Sequence, residues 1–127
     1  MTSLTNTNEW AKAGVMLRES LTTGSRNAMM LMSSSNGASF QSRASTGGSS
    51  TGSADGTVVA PRWLRLVRQG NTLTGYHSAD GFTWVQRGTS TIALPATVYI
   101  GLAVTSHLDG TLATAVFDNV AYIPSGP

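Results

Sequence analysis

The chain has 127 residues, a net charge of +2 and only 11% charged residues, and this length fits one domain with a single hydrophobic core. Seven of its eight basic residues are arginines, dispersed between Arg18 and Arg87 with no run of three, so a patch that tracks a nucleic-acid backbone is not expected. Cysteine is absent, which excludes disulfides, thiolate metal sites and a cysteine nucleophile, and no apolar run reaches the roughly 18 residues of a membrane span.

Short runs of aliphatic, aromatic and β-branched residues alternate with clusters of Gly, Asn, Asp and Ser, and none has the apolar spacing of a helix. The pattern predicts an all-β protein with no helix longer than about two turns. Residues 45–57 are rich in Gly and Ser, whose ordering costs much backbone entropy, and are predicted to form a flexible loop. Strands are predicted at 12–19, 26–33, 38–44, 62–69, 72–78, 82–87, 98–105 and 112–123.

Two dipeptides predict tight hairpin turns within residues 62–88. Gly70-Asn71 separates the fourth predicted strand from the fifth, and Asp80-Gly81 separates the fifth from the sixth. Two-residue hairpin turns need positive φ angles, which these residue types tolerate best. The region is therefore predicted to be a three-stranded antiparallel meander. We expect the Asp80 side chain to brace the second turn while Gly81 supplies backbone freedom.

The sequence lacks the carboxylate pattern of a glycoside hydrolase. Its only glutamates, Glu9 and Glu19, have no acidic neighbour two residues away, whereas hydrolysis requires two carboxyls that face one groove. His77 and His107 are each followed within three residues by an aspartate. A small hydrolase that acts on glycans or esters through His77 or His107 is therefore one alternative function, although the simpler interpretation is a solvated or hydrogen-bonded histidine.

The fourth predicted strand combines an aromatic and a cationic side chain on one face. Trp63 and Arg65 alternate with Leu64 and Leu66, so the leucines face the core while Trp63 and Arg65 share the opposite face. Aromatic rings stack on sugar rings, and planar polar groups bond to sugar hydroxyls. The alternative for the tryptophans is packing in the core or at its rim. The candidate saccharide-binding residues are Trp63, Arg65, Tyr76 and Trp84, with Arg18 as a neighbour.

The sequence also predicts roles for the methionines and for one aspartate. Met16, Met29, Met30 and Met32 are predicted to fill gaps in the core, which is a common use of this flexible side chain. Asp118, on the last predicted strand, is the candidate ligand for a structural Ca²⁺ ion. The oxygens of Asp118 and its neighbour fall short of the six to eight that Ca²⁺ takes, so the expectation without calcium is a hydrogen-bonded aspartate at a strand end and no cofactor.

Four segments resemble a known family in their order and spacing. They are WAKAGVMLRESL at 10–21, NAMMLM at 27–32, APRWLRLVRQGNTLTGYHSADGFTW at 60–84 and VYIGLAVTSHLDGTLATAVFDNVAY at 98–122. Together they resemble a bacterial family of concanavalin A-like lectin/glucanase domains that carries the label "regulation of enolase". The resemblance covers nearly the whole chain and implies a single domain over 1–127 with an antiparallel jelly-roll sandwich.

The resemblance also implies a function and a location. Domains of this type are appended to secreted glycosidases, polysaccharide lyases and cell-surface proteins. We therefore expect a non-catalytic carbohydrate-recognition or adhesion module of an exported bacterial protein, located outside the cell or at its surface, with a polysaccharide or glycan as its partner. The second alternative is a structural or assembly domain without a glycan ligand.

Family members carry a further N-terminal segment before the part that matches residues 6–16. A sandwich without the strands of that segment exposes sheet edges and apolar inner faces, which proteins usually cover by pairing with another chain. The sequence therefore predicts an incomplete sandwich that is completed by oligomerisation. A homodimer is the simplest closed assembly.

Overall fold

The computed structural model describes residues 1–123, and these residues form strands, turns and loops without a helix. The last four residues of the domain predicted over 1–127 lie outside this range. Within residues 1–123 no helix has the length and apolar character needed to cross a membrane. The strands are β1 Ser3–Leu4, β2 Lys12–Arg18, β3 Asn27–Ser33, β4 Ala38–Arg43, β5 Thr51–Asp55, β6 Trp63–Gln69, β7 Thr72–Ser78, β8 Val85–Thr91, β9 Tyr99–Thr105 and β10 Ala115–Val116.

The strands form three antiparallel sheets, which confirms the all-β prediction. The largest sheet has the order β5-β4-β3-β2-β9, the second has the order β6-β7-β8, and β1 pairs with β10. Strand β6 lies across β2 and β3, and β8 lies across β4 and β5. The three-stranded sheet therefore packs on one face of the five-stranded sheet, an arrangement consistent with a β-sandwich.

The meander predicted over residues 62–88 is confirmed, but its second turn differs from the prediction. Gln69 pairs with Thr72, so Gly70 and Asn71 form a two-residue turn in which Gly70 has a φ of 61°. The second connection is longer, because β7 ends at Ser78 and β8 begins only at Val85. The strand predicted at 82–87 is therefore shifted toward the C-terminus.

Two other predicted elements differ from the structure. The predicted loop at 45–57 contains β5, which pairs with β4 although its sequence TGSAD has few strand-forming residues. Residues 51–55 are ordered because they pair with β4, whose backbone N–H and C=O groups need hydrogen-bond partners. The strand predicted at 112–123 is reduced to the two residues of β10, which pair with β1. Residues 112–123 alternate between apolar and polar side chains as a strand does. Within residues 1–123, however, no long strand pairs with them.

The core lies between the two larger sheets and is built from alternate residues of their strands. In β3 the side chains of Met30 and Met32 are completely buried, and Val15 and Leu102 lie beside Met30 along the same row of the sheet. Leu73 faces them from β7. The prediction that the methionines fill the core holds for β3, where Met29 is buried as well, whereas the predicted core residue Met16 is half-buried.

Phe40 fills the space between the sheets because the facing strands carry glycines. A Cβ atom added to either Gly75 or Gly88 would lie 2.7 Å from the Phe40 ring. Such a distance is closer than side-chain atoms pack, so any other residue at these positions would displace the ring. The two glycines therefore allow β7 and β8 to approach β4 closely.

We expect Phe40→Ala to lower the free energy of unfolding by about 3–5 kcal/mol, because the change removes a buried aromatic ring and leaves a cavity between the sheets. Urea denaturation followed by circular dichroism measures this loss. The matched control is Val59→Ala, since Val59 is exposed and its truncation should change stability by no more than about 0.5 kcal/mol. Equal effects of the two changes would show that Phe40 is not at the centre of the core.

Candidate functional site

The outer face of the three-stranded sheet carries the predicted aromatic and cationic residues. Leu64 and Leu66 pack against the core, so Trp63 and Arg65, which alternate with them, point away from it. Tyr76 lies opposite Arg65 in the β6–β7 ladder and shares its face. The structure therefore brings Trp63, Arg65, Tyr76 and Trp84 to one surface.

Trp84 lies on this surface because β8 contains a bulge. Gly75 pairs with Gly88, but Tyr76 pairs with Gln86, so Arg87 is an extra residue in β8. In a regular strand, residues 84 and 88 point to the same side. Because the bulge reverses the alternation, Gly88 faces Phe40 in the core while Trp84 lies against Arg65 on the outside.

The Arg65 guanidinium lies close to two aromatic rings. Its guanidinium carbon lies 4.2 Å from the centre of the Trp84 ring and 5.0 Å from the centre of the Tyr76 ring. Both distances are within the range of cation–π attraction. The two contacts favour a limited set of positions for the guanidinium, whereas the residue as a whole remains exposed.

Trp63 is the exposed aromatic ring at one end of the same face. It keeps 40% of its surface accessible, and Gly81 lies close to its indole, since a Cβ at Gly81 would be 2.9 Å from the ring. Trp84 is half-buried. Neither tryptophan is enclosed between the sheets, which is the condition for stacking on a sugar from solvent.

The segment Ser78–Trp84 is a hydrogen-bonded turn rather than a group of reactive side chains. Oδ1 of Asp80 accepts hydrogen bonds from the N–H groups of Phe82 and Thr83, both at 2.8 Å, and from the Ser78 hydroxyl at 3.0 Å. The bonds from Thr83, Phe82 and Ser78 hold the pKa of the Asp80 carboxyl below its usual value. Gly81 has a φ of 81°, so the expected roles of Asp80 and Gly81 are confirmed.

Phe82 lies beside this face but was not among the site residues predicted from the sequence. Phe82 follows Gly81 in the turn and is 88% exposed. A strand that began at residue 82 would have turned this side chain toward one of the sheet faces, whereas the turn leaves it in solvent. The exposed position of Phe82 could have been predicted from Asp80. An Asp side chain that accepts hydrogen bonds from two following N–H groups extends the turn past Gly81.

Arg18 does not join the other predicted site residues. It ends β2 and has the opposite alternation to Ala13 and Leu17, which face the core. Arg18 therefore points to the outer face of the five-stranded sheet, on the other side of the sandwich. Its guanidinium is used locally, where it donates hydrogen bonds to the carbonyl oxygens of Ser20 and Thr22.

His77, one of the two histidines considered for catalysis, is buried between the sheets. Only 3% of its surface is accessible, and neither ring nitrogen has a hydrogen-bond partner in residues 1–123. Burial lowers the pKa of His77; the positive charges of Arg62 and Arg87 add to this effect and the negative charge of Asp55 opposes it. The imidazole is therefore held in the neutral form.

His107 and Asp118 lie on the surface, away from β-strands. His107 belongs to the 105–112 loop, which surrounds a shallow depression that contains no other histidine, and its φ is 55°. Asp118 follows β10 and is exposed, so it does not lie on a long strand as predicted. No group of three or more His, Cys, Asp or Glu residues within 1–123 is arranged to hold a metal ion.

Comparisons with family models, with curated proteins and with solved structures find no match to this chain. The chemistry of the outer face is therefore the basis for assigning a function. That face combines an accessible indole, a second exposed aromatic ring in the adjacent turn, and an arginine in contact with Tyr76 and Trp84.

We expect the protein to lose stability as the pH falls below the ordinary pKa of histidine, 6.5. The folded state lowers the pKa of His77 below its ordinary value of 6.5, so the contribution of neutral His77 is present above that value. The contribution is lost as the pH falls, because the unfolded chain binds the proton more readily. Chemical denaturation at a series of pH values measures this slope.

The matched variants are His77→Leu and His107→Gln. The first removes the buried titrating group, so the slope of stability below pH 6.5 should flatten. The second replaces an exposed side chain and should leave the slope unchanged. A slope that persists in His77→Leu would show that another group causes the acid sensitivity.

Proposed function

We propose that this protein is a non-catalytic carbohydrate-recognition or adhesion module of an exported bacterial protein, and that its sandwich is of the concanavalin A-like jelly-roll type. The resemblance of the four sequence segments supports the fold type, the family and the extracellular or cell-surface location. The low content of charged residues fits the same location, because Ser, Thr, Asn and Gly provide the solubility.

The observation that carries the proposal is the set of aromatic side chains on the outer face of β6-β7-β8. Trp63 is accessible there, and Tyr76 and Trp84 flank Arg65 on the same face. Exposed indoles that are held in place by the backbone beneath them are suited to stacking on the apolar face of a sugar ring. The face is open rather than enclosed, which suits a polysaccharide chain that lies across it.

The hydrolase alternative has less support from the positions of the histidines. His77 is buried and has no hydrogen-bond partner among residues 1–123, and His107 lies in a separate surface loop. A general base needs to reach the proton that it removes, at about 3 Å or through one water molecule. The alternative of an assembly domain without a glycan ligand is addressed by the same binding experiment.

We expect the purified protein to bind to members of a glycan array and Trp63→Ala to weaken this binding by at least about tenfold, because aromatic anchors in binding surfaces contribute about 2 kcal/mol or more. Trp63→Phe should retain part of the affinity, since a ring is preserved. Calorimetric titration with the best array ligand gives the dissociation constants.

The matched control is Trp10→Ala. Trp10 precedes β2 and packs beside Lys12, whose ammonium lies 5.5 Å from the ring centre, away from the outer face of the smaller sheet. This variant should bind as the unchanged protein does. If the unchanged protein bound no glycan on the array, the result would favour the alternative of an assembly domain.

A second proposal, that the protein is a homodimer, follows from the exposed strand β9. This strand forms one edge of the five-stranded sheet, and β6, the nearest strand of the smaller sheet, lies over β2 and β3. Ile100, Leu102 and Val104 continue the core-facing rows of the sheet, yet about half of the surface of each is accessible. An apolar row that continues the core without a cover is typical of an interface.

The free edge of β9 also lacks the features that prevent strand pairing. Its seven residues contain neither a charged residue nor proline, which are the usual protections of an edge strand. The opposite edge, β5, contains glycine and Asp55. A second copy that pairs its own β9 antiparallel across a two-fold axis would satisfy both edges and bring the two apolar rows side by side.

We expect the protein to sediment at micromolar concentration as a species of twice the 13.2 kDa of one chain, and Leu102→Lys to convert it into a monomer, because the charge would be buried in the interface. Ser53→Lys, which places the same charge on the exposed strand β5, is the control and should remain dimeric. A monomeric unchanged protein would refute the dimer.

A further inference from the structure

We propose that the outer-face site selects acidic saccharides, which carry a carboxylate or sulfate group, and that Arg65 is the residue that recognises the anion. This inference rests on the proposed carbohydrate recognition and names the class of its ligand. The anion would bond to the guanidinium while the sugar ring lies on Trp63.

Arg65 differs from most other arginines of the chain in having its donors unused. In residues 1–123 its side chain makes no hydrogen bond to the protein, and no carboxylate oxygen lies within the 4.0 Å of a salt bridge. By contrast, Arg18, Arg43 and Arg68 donate to backbone carbonyl oxygens, Arg26 pairs with Glu19, and Arg87 reaches Asp55. Arg62 is also without a side-chain bond, but it is half-buried and its charge acts on the buried His77.

Two aromatic rings lie beside the Arg65 guanidinium, and its N–H groups have no protein acceptor in residues 1–123. Trp84 at 4.2 Å and Tyr76 at 5.0 Å restrict the rotation of a side chain that would otherwise be flexible. A planar guanidinium with free edges forms paired hydrogen bonds with a carboxylate or sulfate, and such charge-assisted bonds are about twice as strong as neutral ones. The site is therefore arranged for an anion before the ligand arrives.

The carboxylate nearest in the chain to this surface is already engaged. Asp80 lies in the turn beside the face, and its Oδ1 accepts three hydrogen bonds from residues of the same turn. Its charge is therefore partly compensated and does not pair with Arg65. The cation remains available to an external anion.

The spacing of Trp63 and Arg65 fits one sugar unit. Residues two apart on a strand lie on the same face at roughly 6.6 Å. A ring that stacks on Trp63 therefore places a substituent of the same or the next sugar near Arg65. A neutral sugar would offer only hydroxyl groups at that point, and the bonds that these form lack the charge-assisted strength.

The test uses polymers that differ in charge but share their sugars. Polygalacturonate is compared with its fully methyl-esterified form, and dextran sulfate is compared with dextran, by affinity electrophoresis and calorimetry. We expect the protein to bind the acidic member of at least one pair at least about tenfold more tightly. Arg65→Gln should lower the affinity to that of the neutral member, and Arg65→Lys should recover only part of it, because an ammonium lacks the paired donors.

Lys12→Gln is the control for general attraction between a basic protein and a polyanion. It removes the same charge from β2, in the other sheet, and should leave the preference unchanged. Equal losses in Lys12→Gln and Arg65→Gln would overturn the role of Arg65. Binding that is confined to neutral glycans, on the array or in these pairs, would overturn the proposed ligand class and leave carbohydrate recognition intact. If the protein bound neither the array nor any of the four polymers, both the ligand class and carbohydrate recognition would be overturned.

Discussion

The bulge at Arg87 is the constraint on which the arrangement of the site depends. It allows Gly88 in β8 to face Phe40 in the core while Trp84, just before β8, lies against Arg65 on the surface, although residues 84 and 88 would share a face in a regular strand. The glycine contact lets the two sheets approach closely, and the tryptophan contact orients the guanidinium. Packing inside the sandwich and chemistry outside it are therefore linked through a single extra residue.

The five-stranded and the three-stranded sheet contribute differently to the structure. The five-stranded sheet supplies the core through its central strand β3, all seven residues of which are buried. The three-stranded sheet covers β2, β3, β4 and part of β5 with one face and presents the aromatic residues with the other. Because three strands do not cover five, β9 extends beyond the covered area with its apolar row accessible. The proposed saccharide site and the proposed interface therefore lie on different parts of the molecule and do not compete.

Two buried polar side chains lie where the sheets meet. Within residues 1–123 neither ring nitrogen of His77 has a hydrogen-bond partner, and the same holds for the buried Nε of Arg87. The Arg87 guanidinium lies 3.8 Å from the Asp55 carboxylate of β5, so it connects the edge of the smaller sheet to the edge of the larger one. Ion pairs of this kind between partly exposed groups contribute little, and the cohesion of the sheets comes mainly from the apolar core.

The sequence by itself determined the all-β character, most of the strands, the three-stranded meander and the two faces of β6, because alternation and turn residues act over a few neighbouring positions. It also indicated that Trp63, Arg65, Tyr76 and Trp84 belong to one region. Only the tertiary structure decided that Arg18 lies on the opposite layer, that residues 51–55 form a strand and that most of 112–123 does not. These outcomes depend on which strands find partners. The bulge belongs to the same group, because an extra residue in a strand is fixed by the packing of Gly88 on Phe40 and leaves no mark in the local pattern.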